Sequence, residues 1–510
     1  MRGNIRNVIA LAWVFGSIAI ARGAPGDTEL VSPDFRPADN PYQNVSQFSA
    51  SADGRFVSLD VLGDFLAPND RNEFNDCLVR DRLARTTVIA SVSSAGVQGN
   101  GDSGSGKLSA DGRYLVFASY ASNLVPHDTN GQTDIFLRDL TAAVTERISV
   151  DSDDSQLPLS SGSPSISADG RMIAFTYGAE YSVAAVRDRL TRQTRLIALG
   201  YPSGPPLISP DGRFVAYKSW GKLWLLDLST GRRDRIDRNS AGVGANSHFS
   251  GLVAISHGGR YVLFKSNATN LNPSGNNDSD GVFLRDRLHG TTERVSVRSD
   301  GTVWDFGTHD ATMSYDGRFI AFTAVDERAI NHEVVYEIYL RDRVTGTVGL
   351  VNRNSQGVLA NDSSTHPLLN SDGRFLVFSS KATNLSPDDP TSDVDAYIRE
   401  LPATAATDFS LSPSAIDFGA VVVGAQSASQ VVTVTNTGNS ALELRWTGLT
   451  GADSSQFGRK RNCPGTLAAK QSCTVAVFFA PTTTGVKTAK VVVTTFDGVK
   501  HSTSVTGRGT

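Results

Sequence analysis

Acidic and amide side chains recur at a fixed spacing in three loops of this sequence, and a degenerate fourth copy is at Asn277, Asp278 and Asp280. Their oxygens are the ligands that a hard cation prefers. Each loop carries an aspartate, an asparagine or threonine two positions later, and a second aspartate six positions after the first. The candidate ligands are Asp70, Asn72 and Asp76, then Asp128, Asn130 and Asp134, and finally Asp389 and Asp395. The pattern predicts calcium at one or more loops. The bidentate glutamate of an EF-hand loop is missing, however, and Asx-turns explain the same residues, so both interpretations stay open.

Motifs that would indicate catalysis are weak. Residues 101–104 are Gly-Asp-Ser-Gly, as around a protease nucleophile. Residues 101–107 have the spacing of a phosphate-binding loop, but Leu108 occupies the position of the Ser or Thr that such a loop requires. Both matches fall in a loop that leads into a strand rather than a helix. The eight histidines are scattered and none forms a His-Glu-x-x-His motif. The sequence therefore assigns no catalytic residue and no cofactor besides the possible calcium, and leaves enzymatic activity uncertain.

The calcium-type loops belong to a unit that recurs seven times. Each unit has a Gly-Arg step followed by an apolar strand, and six of the seven place an aspartate before the glycine. These turns are Asp53-Gly54, Asp111-Gly112, Asp169-Gly170, Asp211-Gly212, Asp316-Gly317 and Asp372-Gly373. Asp-Gly between two apolar strands predicts a tight hairpin, because glycine adopts positive φ freely. We expect the arginine after each glycine to have a structural role, paired with a nearby carboxylate.

Each unit contains four short strands. One precedes the Asp-Gly turn, one follows it, a third ends at an Arg-Asp pair such as Arg138-Asp139, and the fourth is a segment such as Thr-Glu-Arg at 145–147. Seven four-stranded units predict an all-β, seven-bladed β-propeller. The seventh unit lacks its fourth strand, whereas residues 28–32 repeat the 145–149 segment. We therefore expect residues 28–32 to complete the last blade and close the ring.

The Ser-x-Asp-Gly-Arg turn with its following Arg-Asp strand resembles the TolB-like, WD-repeat-related propellers of bacteria. The resemblance extends over about residues 28–400. It implies the propeller fold for residues 25–401. It implies no particular activity, since the family includes periplasmic interaction proteins as well as propellers attached to peptidases or lyases.

The repeat stops at a small polar linker, residues 402–408, and residues 409–510 contain about seven short alternating strands separated by turns. This pattern predicts an immunoglobulin-like β-sandwich. The runs Ile-Asp-Phe-Gly at 416–419, Thr-Asn-Thr-Gly at 435–438 and Phe-Ala-Pro-Thr at 479–482 resemble the Ig-like module of "choice-of-anchor D" proteins, one of the ASH-type sandwiches. The resemblance implies interaction or spacing rather than chemistry.

The first 24 residues have the layout of a secretory signal peptide: arginines, a short apolar run, then small residues. The chain is predicted to be exported to the periplasm or the extracellular space, with no membrane span. Disulfides persist there, and Cys463 and Cys473 lie ten residues apart in the sandwich, so we expect them to be bonded. Cys77 takes a repeat position held by apolar residues and should be a buried free thiol.

Composition limits the partners. The 510 residues carry a formal net charge of −4, which makes the chain a poor generic binder of nucleic acid. We expect an exported non-catalytic binding or scaffold protein, whose propeller binds a protein or glycan ligand of the cell envelope or exterior. The expected surface carries the long loops, such as 123–134 and 384–395, with the Ig-like domain as spacer or interaction module. The alternative is a propeller-based hydrolase or lyase acting on an extracellular polymer.

Overall fold

The computed structural model describes residues 26–32, 44–62, 70–178, 183–197, 204–247, 250–272, 280–298, 300–304, 307–330, 333–389, 392–401, 409–437, 442–468, 470–495 and 500–510. The expected signal peptide, residues 1–24, and the expected linker, residues 402–408, lie outside these ranges. No helix within them is long and apolar enough to cross a membrane.

Seven antiparallel four-stranded sheets, the blades, make up the chain from Thr28 to Glu400. Blade 1 comprises β2 (Asn44–Ala50), β3 (Phe56–Leu62), β4 (Asp76–Asp81) and β5 (Thr86–Ile89); blade 2 comprises β6 (Ser103–Leu108), β7 (Tyr114–Ser119), β8 (Asp134–Asp139) and β9 (Val144–Arg147). Blade 3 comprises β10 (Ser161–Ile166), β11 (Met172–Tyr177), β12 (Val183–Asp188) and β13 (Gln193–Leu196); blade 4 comprises β14 (Leu207–Ile208), β15 (Phe214–Ser219), β16 (Lys222–Asp227) and β17 (Arg233–Arg235).

The remaining blades follow the same plan. Blade 5 comprises β18 (Ser250–Ile255), a 3-10 turn (His257–Gly259), β19 (Tyr261–Ser266), β20 (Gly281–Asp286) and β21 (Thr291–Arg294); blade 6 comprises β22 (Thr308–Met313), β23 (Phe319–Ile330), β24 (Glu333–Asp342) and β25 (Val348–Leu350). Blade 7 comprises β26 (Ser364–Leu369), β27 (Phe375–Ser380), β28 (Asp395–Glu400) and β1 (Thr28–Leu30). The predicted seven-bladed, all-β propeller is confirmed.

The ring closes as the repeat phase predicts. β1 pairs antiparallel with β28, with Thr28 opposite Arg399 and Leu30 opposite Tyr397. The Arg399 guanidinium donates to the hydroxyl oxygen of Thr28 at 2.7 Å and to the carbonyl of Arg353 at 2.8 Å. One cluster of buried apolar side chains includes Val31, residues of blade 7 and residues of blade 1. The start and the end of the propeller are therefore joined by both hydrogen bonds and core packing.

Every pair of neighbouring blades shares one cluster of buried apolar side chains. A blade packs both faces in this way, so the core of the propeller is a ring of seven inter-blade clusters rather than one central mass. The turn glycines are part of this packing. Gly54 has φ +69°, and a Cβ there would lie 2.6 Å from the ring of Phe375 in the preceding blade; Gly373 is placed likewise against Phe319.

The arginine after each turn glycine pairs with the carboxylate that ends the third strand of its own blade, as predicted. The seven pairs are Arg55–Asp81, Arg113–Asp139, Arg171–Asp188, Arg213–Asp227, Arg260–Asp286, Arg318–Asp342 and Arg374–Glu400. Because the pair joins the turn after the first strand to the end of the third, each one braces a blade at the same edge. Each of the seven arginines therefore makes the structural contact that the sequence predicts.

The C-terminal region consists of two packed sheets. One has the order β29 (Phe409–Ser412), β31 (Gln430–Asn436), β35 (Ser472–Phe479) and β33 (Phe457–Arg461); the other has the order β30 (Ala415–Val421), β37 (Lys500–Gly509), β36 (Gly485–Thr495), β32 (Leu442–Thr450) and β34 (Thr466–Leu467), and a 3-10 turn spans Ser454–Gln456. Their facing side chains form one buried cluster of their own. Cys463 and Cys473 are joined by a disulfide, and Cys77 in blade 1 is a buried free thiol.

Candidate functional site

The long loops between second and third strands share one face of the propeller with the connections between blades; we call it the long-loop face. Reciprocal asparagine contacts fix these loops there. In blade 2 the Asn100 N–H donates to Asn123 Oδ1 at 3.0 Å, and Asn123 Nδ2 donates to the Gln98 carbonyl at 2.8 Å. The same pairing joins Asn246 to Asn270 in blade 5 and Asn361 to Asn384 in blade 7. The long loops are thus braced against the preceding inter-blade connection.

The predicted cation ligands of blade 1 are bonded within the protein. Asp70 Oδ1 accepts from Gln98 Nε2 at 3.0 Å, and the side-chain oxygen of Asn72 accepts the N–H two positions later at 3.1 Å, an Asx-turn. Asp76 is buried and accepts the hydroxyl of Ser91. Burial raises the pKa of Asp76 to about 6 in spite of that hydrogen bond.

In blade 2 an arginine occupies the neighbourhood of the predicted ligands. Asp128 and Asp134 both accept from Gln156 Nε2, at 2.9 and 2.8 Å, and Asn130 Nδ2 donates to Asp134 at 3.2 Å. The guanidinium of Arg147 lies 3.8 Å from Asp128 and 3.9 Å from Asp134. A positive charge supplied by the chain therefore already faces the two carboxylates that a calcium ion would need.

The predicted ligands of blade 7 also have partners. Asp389 accepts from the Tyr397 hydroxyl, and Asp395 Oδ1 accepts from Ser32 Oγ at 2.6 Å. Within the ranges that the structure covers, no group of three or more His, Cys, Asp or Glu side chains is placed to hold a metal ion. The Asx-turn at Asn72 fits the second interpretation of the loops, and calcium there stays a prediction.

A pocket of about 530 Å³ lies on the long-loop face between blades 6 and 7. The start of β24 supplies Val334 and Tyr336 on one side. The connection into blade 7 supplies Asp362, the residue after β27 is Lys381, and the loop before β28 supplies Val394. The pocket thus combines one aromatic ring, both signs of charge and several amide and hydroxyl groups, on loops that the asparagine pairs hold in place.

Two ionisable side chains, one from β22 of blade 6 and one from β26 of blade 7, lie close together. His366, at a bulge of β26 with φ +52°, has Nε2 3.9 Å from Asp310 Oδ2 of blade 6 and Nδ1 3.2 Å from Ser379 Oγ. The histidine and aspartate side chains are 57% and 37% exposed, so both face solvent. Ser379 is 1% exposed and donates to the Thr365 carbonyl at 3.2 Å, which leaves its hydroxyl unavailable as a nucleophile. The two side chains therefore form an exposed histidine–carboxylate pair across the junction of blades 6 and 7.

Sequence reasoning placed the ligand surface on these loops and missed the pocket itself. The strands β23 and β24 are the longest of the propeller region and extend blade 6 past its neighbours, which the repeat pattern conceals. The asparagine pairs have a readable signal, the tetrapeptide Ala-Ser/Thr-Asn-Leu at 121–124, 268–271 and 382–385. The proximity of His366 and Asp310 leaves no signal in the sequence, because the two residues lie on separate blades.

Comparisons with known proteins agree with this architecture. A sequence model of the ASH family (Abnormal spindle-like microcephaly-assoc'd, ASPM-SPD-2-Hydin) matches residues 402–503, so the C-terminal region is an ASH-type, Ig-like domain. A search of curated proteins finds no match.

Solved structures that are similar to this chain include an oligogalacturonate lyase in complex with manganese (13% identity, TM-score 0.47, 75% of this chain and 99% of that one). TolB from Acinetobacter baumannii is also similar (14% identity, TM-score 0.33, 60% and 82%), as is the β-propeller domain of the Trilobed protease from Pyrococcus furiosus (11% identity, TM-score 0.44, 66% and 91%). These are similarities of fold only.

Proposed function

We propose that this chain is an exported binding or scaffold protein whose propeller holds a protein or glycan ligand on the long-loop face. The Ig-like domain serves as a spacer or as a second interaction module. The signal-peptide pattern of residues 1–24 and the Cys463–Cys473 disulfide support export, because disulfides persist in oxidising compartments.

The pocket between blades 6 and 7 is the observation that carries the proposal. Its volume of about 530 Å³ is within the usual range for a small-ligand site, and a rigid scaffold with loop-borne polar groups is the common design of such sites. Its walls offer the amide of Asn361, the carboxylate of Asp362, the amine of Lys381 and the ring of Tyr336. A sugar ring or a polar peptide segment matches that mixture better than an apolar molecule does.

Point substitutions test the site better than loop deletion, because Asn123, Asn384 and Asp395 anchor the loops in the fold. A ligand is first identified on a glycan array or by cross-linking to envelope proteins. We expect Lys381→Glu to lower the affinity for that ligand about tenfold or more, because the substitution inverts the charge at the pocket wall. The control is Arg232→Glu, an exposed charge reversal in the turn before β17 on the opposite face. If Arg232→Glu lost binding while Lys381→Glu bound the ligand fully, the ligand would lie on the opposite face, and the proposal would be wrong.

The alternative is a propeller-based hydrolase or lyase acting on an extracellular polymer, and the exposed His366–Asp310 pair is the observation that favours it. A histidine with a carboxylate nearby is a common proton-transfer group, and here the two lie 3.9 Å apart. His366→Asn is the matched variant, because asparagine also tolerates the positive φ of this bulge. Turnover of a polysaccharide or peptide substrate that falls about 100-fold in this variant supports the alternative; absence of turnover by the wild type across the panel contradicts it.

A further inference from the structure

We propose that the groove between blades 2 and 3 is a binding site for a small oxyanionic ligand, a carboxylate or a phosphate carried on a group up to the size of a sugar. It is separate from the pocket between blades 6 and 7, and neither proposal depends on the other.

The groove encloses about 720 Å³, and its lining has more basic than acidic side chains. Its walls contain four arginines, at positions 147, 187, 189 and 192, and only two acids, Glu146 and Asp154. Glu146 pairs with Arg189 at 2.6 Å, and Asp154 pairs with both Arg187 and Arg192. One carboxylate therefore serves two guanidinium groups, and Arg147 faces the groove without a carboxylate of its own among the lining residues.

Arg147 has donors to offer a ligand. Its side chain is only 8% exposed, yet it makes no hydrogen bond to any residue that the structure describes, and its Nε is buried without an acceptor. The nearest carboxylates, Asp128 and Asp134, lie at 3.8 and 3.9 Å, too far for hydrogen bonds, and both already accept from Gln156. A buried guanidinium with unused N–H groups is costly, and an oxyanion in the groove would remove that cost.

The equivalent repeat positions of two other blades show the difference. Arg235 in blade 4 makes two hydrogen bonds to Asp237, at 2.9 and 3.1 Å. Arg294 in blade 5 donates to the Asp280 carbonyl at 3.3 Å and lies 5.9 Å from the centre of the Phe283 ring. Arg235 and Arg294 each donate to an oxygen of their own blade, whereas Arg147 donates to no residue that the structure describes and lines the groove. A buried guanidinium nitrogen without an acceptor also occurs at Arg294, so it is the open groove that distinguishes Arg147.

The guanidinium geometry decides the ligand chemistry. A planar fork of N–H groups matches a carboxylate or a phosphate, and the partly exposed Arg192 at the rim can add a second contact. The volume leaves room for more than a bare ion. Inorganic phosphate and glucuronate are therefore suitable probes, the first for the anion alone and the second for an anion on a sugar ring.

Titration calorimetry of the full mature chain with each probe, at constant ionic strength, tests the site. We expect saturable one-site binding by the wild type, and a loss of affinity of about tenfold or more in Arg147→Gln, because charge-assisted hydrogen bonds are lost. Arg294→Gln, which removes a buried arginine at the same repeat position, should bind like the wild type. Tighter binding of glucuronate than phosphate identifies a sugar-borne anion; the reverse order identifies the free ion.

Two outcomes would overturn the proposal: no saturable binding of either probe to the wild type, or equal binding by wild type and a folded Arg147→Gln. If Arg147→Gln does not fold, Arg147→Lys keeps the charge and removes the fork, and it should still weaken binding several-fold. Unchanged binding by Arg147→Lys, together with unchanged binding by Arg192→Gln, would likewise rule the site out.

Discussion

Deletion of residues 28–33 is expected to lower the melting temperature of the propeller by about 10 °C while the Ig-like domain melts unchanged. The deletion removes the whole of β1, the outer strand of blade 7, and with it the hydrogen bonds between Arg399 and the Thr28 region. It also exposes apolar surface that Val31 covers at the junction of blades 7 and 1. The two losses together lower the free energy of unfolding by about 5 kcal/mol. The melting temperature of a domain of this size falls by about 2 °C for each kcal/mol lost.

Calorimetry of the full chain provides its own reference, because the C-terminal sandwich has a separate core. Glu29→Gln is the matched variant: it keeps β1 and removes only the half-exposed ion pair with Arg82, which should cost less than about 1 kcal/mol. A deletion variant whose propeller melts like the wild type would show that β1 does not close the ring.

The propeller could be derived from the sequence because each blade repeats the same physical solution. The turn needs glycine at positive φ, packed against an aromatic ring in six blades and against Met172 in one, and the arginine needs a carboxylate. Both requirements fix residue types at set positions of the repeat. The repeat phase even identified Thr28 as the partner of the last blade, since the unit that lacks a fourth strand is the one at the opposite end.

The sites could not be derived in the same way, because they depend on residues that differ between blades. The three aspartate loops look alike in sequence, yet Arg147 lies beside the pair in blade 2, whereas Ile89 holds the same repeat position in blade 1. The pocket between blades 6 and 7 requires the long β23–β24 hairpin. His366 lies near Asp310 only because their two blades are neighbours in the ring. The repeat therefore predicts the scaffold, whereas the proposed binding sites lie where single blades depart from the repeat.

The Arg260–Asp286 pair of blade 5 is the brace whose loss should cost the most. The two side chains are only 6% and 10% exposed, whereas Arg171 in the equivalent pair of blade 3 is 43% exposed. Asp286→Asn removes the carboxylate charge that faces the buried Arg260 guanidinium, which should lower the free energy of unfolding by about 3 kcal/mol. The same change at Asp188 leaves Arg171 able to reach water, so about 1 kcal/mol or less is expected there. Guanidinium unfolding of both variants measures the contrast.

The cost of Asp286→Asn should also depend on pH. Burial by itself raises the pKa of Asp286, but hydrogen bonds from Arg260 and His289 more than offset it and lower the pKa from 3.8 to about 2. A carboxylate with a lowered pKa in the folded state stabilises the protein above the unfolded value and loses that contribution as the pH falls through the folded value. The stability gap between wild type and Asp286→Asn should therefore be full at pH 5 and above and shrink between about pH 4 and 2. Unfolding curves at pH 7, 5, 3 and 2 measure it, and a gap that stays constant down to pH 2 would show that the charge of Asp286 does not support this blade.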